Sequence, residues 1–422
     1  MYRSTDIDVQ KNPMPFLEQL RHEAPVYRDP DSGAYLVTRD EDIRRVAMDT
    51  ASFSNVIDPS IFRVVQGLSL EQSDPEVAER LKTRGWLLPT TLLLTDPPAH
   101  TRYRRLVQEA LNPRAVEQLS SHLRERVRTL NRDFAAGTPV DFVEAFAKKL
   151  PIWVIGRFIF GAPESDFDQI NDWADQFFTT LMPAAPREEY LKTVDAMIDM
   201  HHYIKAKIDD LRHEHKEDVL LSRLIRVHEQ TQDEPLSDPE LISMMHVMLL
   251  AGHDTTRQTL GNSVLELARR PELFARMRED RKLIPNFINE VLRMNAPANM
   301  TTRIALCDAD VNGTTIPKGS MLFVAWGSAG RDESAHPDSN RFDVDRPDAR
   351  SHLSFGWGLH HCVGAHLARA QIRISLEEIL DEFGGVRLAV DESELDYVPS
   401  MNLRSLLSLP VCFDSVDATD IG

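Results

Sequence analysis

Apolar residues recur at helical spacing through most of the stretch from Asp96 to about Arg281, which predicts an almost wholly helical middle. Before it, residues 1–60 read as short helix, strand, strand, helix, and Gly33-Ala34-Tyr35-Leu36-Val37-Thr38 is the clearest strand. Residues 60–95 lack clean periodicity and predict a long loop region with short helical pieces. Ser237-Asp238-Pro239-Glu240 reads as a capping box with an early proline, a strong helix start. The helix it opens can run to Arg270, just before Pro271, a length of roughly 50 Å. Residues 303–325 turn strand-like around the hairpin signal Asn312-Gly313 and around Pro317-Lys318-Gly319. Residues 326–361 are rich in Pro, Asp, Ser and Gly and irregular. A helix resumes after Cys362 and runs to about Phe383, and from Val386 the pattern reads as strands and turns. The expected class is mainly α with minor β sheets.

The chain has 422 residues, 42% of them hydrophobic, enough for a large core. Length alone suggests two or three domains, yet no repeat, linker or composition break marks a boundary. Forty-eight basic residues face 66 acidic ones, a net charge of −18. That balance opposes nonspecific nucleic-acid binding. The polar start Met1-Tyr2-Arg3-Ser4-Thr5-Asp6 is unlike a signal peptide, no run approaches a membrane span, and a cytoplasmic location is expected. Three cysteines, Cys307, Cys362 and Cys412, form no disulfide framework.

Of these only Cys362 stands in a chemically suggestive setting. Phe355-Gly356-Trp357-Gly358-Leu359-His360-His361-Cys362-Val363-Gly364 surrounds it with glycines, which let the backbone take positive φ and approach a flat ligand closely. The residues that follow look helical, so the sulfur lies at or just before a helix N-terminus, where the dipole and N–H groups stabilise a thiolate. A buried, inert cysteine explains neither the two glycines before it nor the one just after. Further upstream, Ala251-Gly252-His253-Asp254-Thr255-Thr256 places an acid and two hydroxyls inside an apolar helix, which is costly unless they are paired or wet. Glu290 and Arg293 share one helix face, as do His100 and Arg104 in Asp96-Pro97-Pro98-Ala99-His100-Thr101-Arg102-Tyr103-Arg104-Arg105.

The cysteine loop resembles the haem-binding signature of the cytochrome P-450 family, F-G-x-G-x-H-x-C-x-G, at every defined position: Phe355, Gly356, Gly358, His360, Cys362 and Gly364. The resemblance implies a haem b (iron protoporphyrin IX) between the long helix and the cysteine-bearing loop, with Cys362 as the iron's ligand and Phe355 on its thiolate side. The segment at 251–256 resembles the family's oxygen-activation motif. It implies that Gly252 lets the ring lie close to the helix, that Thr255 holds bound dioxygen and a water, and that Asp254 supplies protons; His253 has no role. Glu290 and Arg293 match the family's structural E-x-x-R, expected to pair with the Pro/Asp-rich segment through Arg346. His100, Arg104, Arg303 and His360 match propionate-binding positions. Gly330 departs from the asparagine of many bacterial members.

With these motifs in order from Asp96 to Gly364, the resemblance implies that residues 1–422 are one domain without a fused reductase. It implies a monooxygenase that inserts one atom of O2 into a hydrophobic small molecule, with electrons passing from NAD(P)H through a ferredoxin reductase and a ferredoxin. A basic patch from Arg102, Arg105, Arg369 and Arg373 would receive the ferredoxin. Pocket walls are expected from Trp86, Leu87, Leu88, Leu93, Phe178, Met248, Ala251, Met300, Thr301, Met401 and Leu403. Rival readings are a peroxide-driven peroxygenase, which the pair Asp254-Thr255 disfavours, and a nonenzymatic haem-thiolate sensor. No nucleic-acid or membrane partner is expected.

Overall fold

The computed structural model of the protein describes residues 3–56, 75–180, 187–214, 216–231 and 233–416. Its contacts gather into two compact units. One comprises Met1–Phe53, Ser120–Pro151 and Asp254–Gly422, and the other Ser54–Leu119 with Ile152–His253.

The first unit is built on a five-stranded sheet. Its strands are β1 (Val26–Arg28), β2 (Tyr35–Val37), β3 (Phe53–Ser54), β4 (Thr301–Ala305) and β5 (Met321–Val324), in the order β1-β2-β5-β4-β3. β2 runs parallel to β5, with Tyr35 opposite Leu322, and β4 runs antiparallel to β5, with Thr301 opposite Val324. Alternating side chains send Val37, Leu322 and Val324 into a core shared with Ile43, Val46 and Leu353, as a half-buried pleated sheet requires. The turn signal at Asn312-Gly313 joins the strands Ala309–Val311 and Thr314–Ile316, and both turn residues take positive φ, 51° and 75°. A three-stranded sheet pairs Pro410–Asp414 with Val140–Asp141 and Gly385–Leu388. Beside it Phe134 stacks on Phe413 with centroids 5.3 Å apart. Ile284–Met294 packs on Ala365–Glu382, the latter ending one residue short of the sequence expectation.

The second unit is helical. Ala99–Ala110 starts directly after the double proline, and Phe167–Thr180 packs along Arg187–His213. The helix Asp238–Arg269 begins here and ends within the first unit. Its capping box is formed: Glu240 Oε2 accepts from the backbone N–H and the hydroxyl of Ser237, each at 2.8 Å. Pro75–Arg84 is one of the short helical pieces expected in residues 60–95, and its ten residues bury only Val77 and Leu81, which leaves a weak apolar stripe with no bounds to be read from periodicity. Among the described residues no helix is long and apolar enough to cross a membrane.

Candidate active site

The cysteine loop has the geometry its glycines suggest. Gly356 and Gly358 both sit at φ 73°, and a Cβ on Gly358 would lie 2.9 Å from the Ala47 carbonyl oxygen. Trp357 turns outward beneath the Arg44 guanidinium, 4.3 Å from its ring centre. The backbone N–H of Cys362 donates to the Phe355 carbonyl at 2.7 Å, which closes the loop. Gly364 caps the helix Ala365–Glu382, so Cys362 stands three residues before the first helical turn. Its thiol is exposed, and a Cβ on Gly364 would lie 3.8 Å from the sulfur, so any larger residue there would narrow the approach. Phe355 lies between the Arg369 guanidinium, 4.9 Å from its centre, and the His361 ring.

The helix Asp238–Arg269 is buried along most of its middle, Met248 included. Ala251 is nevertheless exposed and Gly252 and Thr255 half-buried, while His253, Asp254 and Thr256 are buried. A Cβ on Gly252 would make only ordinary contacts, with Ile155 at 3.8 Å. Packing within the chain therefore does not demand glycine there. Thr255's carbonyl accepts from the Thr259 hydroxyl at 2.8 Å, a bond that competes for a helical acceptor. The carboxylate of Asp254 is 2% exposed and fully engaged. Oδ1 pairs with Arg257 Nη2 at 2.6 Å and accepts from Gln258 at 3.4 Å, and Oδ2 accepts from the Ser405 hydroxyl at 2.8 Å.

Glu290 and Arg293 have no exposed surface at all. Two parallel bonds of 2.7 Å join them, and Arg293 also donates to the carbonyls of Gly330, Ser339 and Arg341. Arg346 reaches Glu290 at 3.1 Å and the carbonyls of Pro337, Asp338 and Arg341. Gly330 meets a local need, since a Cβ on this backbone would lie 2.1 Å from the Arg293 carbonyl oxygen.

In the second unit His100 is buried in the helix Ala99–Ala110, and Arg104 lies one turn on, half-buried. Burial first, and the Arg104 charge second, push the imidazole below its ordinary pKa, so an anionic partner would restore its charge. In the first unit Arg303 is buried on β4 and donates to the Thr302 carbonyl at 2.7 Å, while His360 is half-buried in the cysteine loop.

The proposed pocket walls fall in different settings. Trp86 lies against His202 with centroids 4.8 Å apart, Leu87 and Leu93 are exposed, and Leu88 is half-buried. Met300 packs in a core with Phe16, Leu17, Leu20 and Leu36, with Met401 against it. Thr301 accepts from the indole N–H of Trp326 at 2.9 Å, and Leu403 bridges to Ala298. The Phe178 side chain lies outside the described residues. The four arginines expected to form a basic patch are each engaged. Arg102 pairs with Glu240 and Arg105 with Asp233, Arg369 donates to Asn289, and Arg373 pairs with Glu377. Carboxylates offset the charges of Arg102, Arg105 and Arg373, while Arg369 has a neutral partner in Asn289, so less free positive potential remains than a count of arginines suggests.

Sequence reasoning overlooked Arg257, Gln258 and Ser405. Arg257 stands at helical spacing from Asp254 and was open to the argument used for Glu290 and Arg293. Nothing in the sequence signals Ser405, 151 positions away.

This arrangement, an exposed cysteine in a glycine-shaped loop ahead of a helix, belongs to a known class. The sequence model of cytochrome P-450 matches residues 38–393, and the chain belongs to that family, whose members carry a haem held by a cysteine thiolate. The mycinamicin IV hydroxylase/epoxidase of Micromonospora griseorubida is 35% identical over 382 residues, 90% of this chain and 89% of that one. Among solved structures, the bacillaene polyketide synthase cytochrome P-450 PksS of Bacillus subtilis 168 matches with a TM-score of 0.84 at 28% identity, over 98% of this chain and 100% of that one. A mutant of the P-450 EryK in complex with erythromycin B matches with a TM-score of 0.80 at 30% identity, over 96% and 97%. The protein is thus an oxidoreductase that incorporates oxygen from O2 and draws electrons from redox partners.

Proposed function

We propose that this chain is a single-domain monooxygenase that oxidises a bulky, largely apolar molecule of macrolide or related polyketide character, using haem b in the cytoplasm with electrons from NAD(P)H through a ferredoxin reductase and a ferredoxin. The reading rests on one observation above the others: Cys362 presents an exposed sulfur from a loop whose backbone is held open by glycine and closed by its own hydrogen bond. Support for the substrate class comes from relatives named for mycinamicin IV and solved with erythromycin B, together with the apolar candidates Trp86, Leu88, Met248 and Ala251.

When bound, the haem supplies the oxygen-activating chemistry. The chain's residues do the rest. Cys362 would give a thiolate ligand, favoured by its place just ahead of a helix N-terminus. His100, Arg104, Arg303 and His360 offer cationic or N–H donors to the two propionates, and charge-assisted bonds of that kind offset the burial of carboxylates. Gly252 leaves room beside the helix. Thr255 orients a water with its hydroxyl. Asp254 moves a proton inward by exchanging its Arg257 partner for water, since both carboxylate oxygens are otherwise occupied.

Absorption of the reduced, carbon-monoxide-treated protein tests the ligand. A Soret band at the long wavelength typical of thiolate coordination is expected, and Cys362→Ser should abolish it. A wild-type band at the shorter wavelength of imidazole coordination would end this reading. Thr255→Ala should divert NAD(P)H and O2 consumption into peroxide. Unchanged coupling would argue against the proton relay through Thr255 and Asp254.

A further inference from the structure

The first unit carries a second concave site whose lining has no part in the proposed oxygen chemistry. It is a cavity of about 320 Å³ lined by five arginines, Arg21, Arg269, Arg270, Arg331 and Arg404, against two glutamates, Glu18 and Glu266. In a chain of net charge −18, such a local excess of cations is unusual.

The charges are not evenly compensated. Glu266 holds both Arg269 and Arg270, and Arg269 also pairs with Glu392. Arg21 is 3% exposed, donates to the Ser328 hydroxyl at 3.0 Å, and among the described residues has Glu333, at 4.0 Å, as its one carboxylate partner. Arg331 and Arg404 have no carboxylate partner among the described residues. Arg331 donates instead to the Met294 carbonyl at 2.9 and 3.1 Å and to the Asn340 side-chain oxygen at 3.1 Å. Arg404 lies over the Tyr397 ring at 4.1 Å and touches the Lys11 carbonyl at 3.2 Å. The Nε–H groups of Arg21 and Arg404 are buried without a hydrogen-bond acceptor. Burial, then repulsion from Arg404 and Arg293, lowers Arg331 to about 10. Neutral acceptors satisfy geometry but not charge, and a cation withdrawn from water without a counter-ion is costly. A mobile anion would remove that cost.

We propose that this cavity binds a small multivalent oxyanion of the phosphate type, held between Arg331 and Arg404. The planar guanidinium fork matches phosphate oxygens in pairs, and the cavity is large enough for a phosphate group with a substituent or a second phosphate. The ligand's source is either free inorganic phosphate or a phosphorylated small molecule. Binding here would stabilise the first unit without entering the haem chemistry, so the proposal does not depend on the function argued above.

Titration of the full-length holoprotein tests it by calorimetry and by the thermal midpoint, at constant ionic strength. The probes are inorganic phosphate, pyrophosphate and phenyl phosphate, with sodium chloride as the reference. Saturable binding near one equivalent is expected for at least one probe and not for chloride. Tightest binding by phosphate points to the free ion, and by pyrophosphate or phenyl phosphate to a substituted one. Arg404→Gln should weaken binding at least tenfold, while Arg3→Gln, the same charge change on an exposed residue that does not line the cavity, should not. Glu18→Gln, a half-buried position whose loss is structurally mild, should tighten binding several-fold and keeps the test valid if Arg404→Gln fails to fold. An equal response to chloride at matched ionic strength, or Glu18→Gln binding no tighter than wild type, would overturn the proposal.

Discussion

Two of the buried carboxylates on helices in the first unit, Glu290 and Asp254, each pair with an arginine three residues on, and they are built for different purposes. Glu290 and Arg293 are wholly enclosed. The arginine's charge is spread over Glu290 and three backbone carbonyls, and Arg346 adds a second cation with its own carbonyl acceptors. Asp254 is as buried, but Arg257 keeps 15% of its side chain exposed, and the remaining partners are a hydroxyl and an amide. The first assembly has no route by which a partner can leave. The second has an arginine that can move to solvent and neutral groups that can stay. The same spacing therefore yields a fastening in one place and an exchangeable pair in the other, and solvent access to the cation separates them.

The strongest test breaks the fastening. Arg293→Ala leaves Glu290 buried beside a single cation and orphans the carbonyls of Gly330 and Ser339. A loss of about 3–5 kcal/mol is expected from removing one partner of a buried ion pair, read as a fall in the urea midpoint and in the yield of haem-loaded protein. Stability within about 1 kcal/mol of wild type would place Asp254 and Glu290 in one category after all.

Asp254→Asn attacks the exchangeable pair. Arg257 can turn to water, so the stability cost should stay near about 1 kcal/mol. Turnover, by contrast, should fall about 100-fold, the lower end of what a positioned proton-transfer group contributes. The measurement is steady-state product formation beside a urea melt. A large stability loss with modest loss of turnover would invert the comparison.

Both pairs show how far sequence reading reaches. Helical spacing made Glu290–Arg293 legible, because one turn of one element fixes it. The carbonyls that complete the cluster come from the irregular stretch 330–341, where no period exists to be read. Asp254 was legible as an acid in an apolar run, but Ser405 arrives from a distant segment by tertiary packing. The cysteine loop was legible almost entirely, since glycines with positive φ and a helix start are local. Pocket walls were the least legible. Met300 packs with Phe16 and Leu17 in ordinary core, and apolar character alone does not separate a core side chain from one lining a ligand site. The arginine cavity left no trace in any motif because its five cations come from four separate segments.

A third buried pair, in the second unit, sharpens the contrast by lacking formal charge. His201 Nε2 and His246 Nδ1 lie 3.0 Å apart, so one ring donates to the other and both are neutral. Burial pushes His246 down to about 4, and burial with the neighbouring His246 and His202 charges pushes His201 well below 6.5. Depressed histidines add stability in full above pH 6.5 and lose it as pH falls from 6.5 toward 4. By pH 5 the loss from His246 alone should reach about 2 kcal/mol. His246→Gln should flatten that slope between pH 6.5 and 5 in urea melts, and an unchanged slope would assign the acid sensitivity elsewhere.

The smallest effect expected belongs to Ser405→Ala, and it bears on how Asp254 works. The hydroxyl donates one hydrogen bond to the carboxylate oxygen Oδ2, worth about 1.5 kcal/mol in stability, while Arg257 and Gln258 still hold Oδ1. If protons enter by exchange of Arg257 for water, Ser405 only steadies the carboxylate. Coupling of NAD(P)H consumption to product should then stay within about twofold of wild type, a shift of roughly 0.4 kcal/mol in the barrier. Should Ser405→Ala instead match Asp254→Asn in lost turnover, the serine hydroxyl is itself the proton's path. Arg257 would then be a fastening like Arg293, and solvent exposure of the cation would no longer distinguish the two pairs.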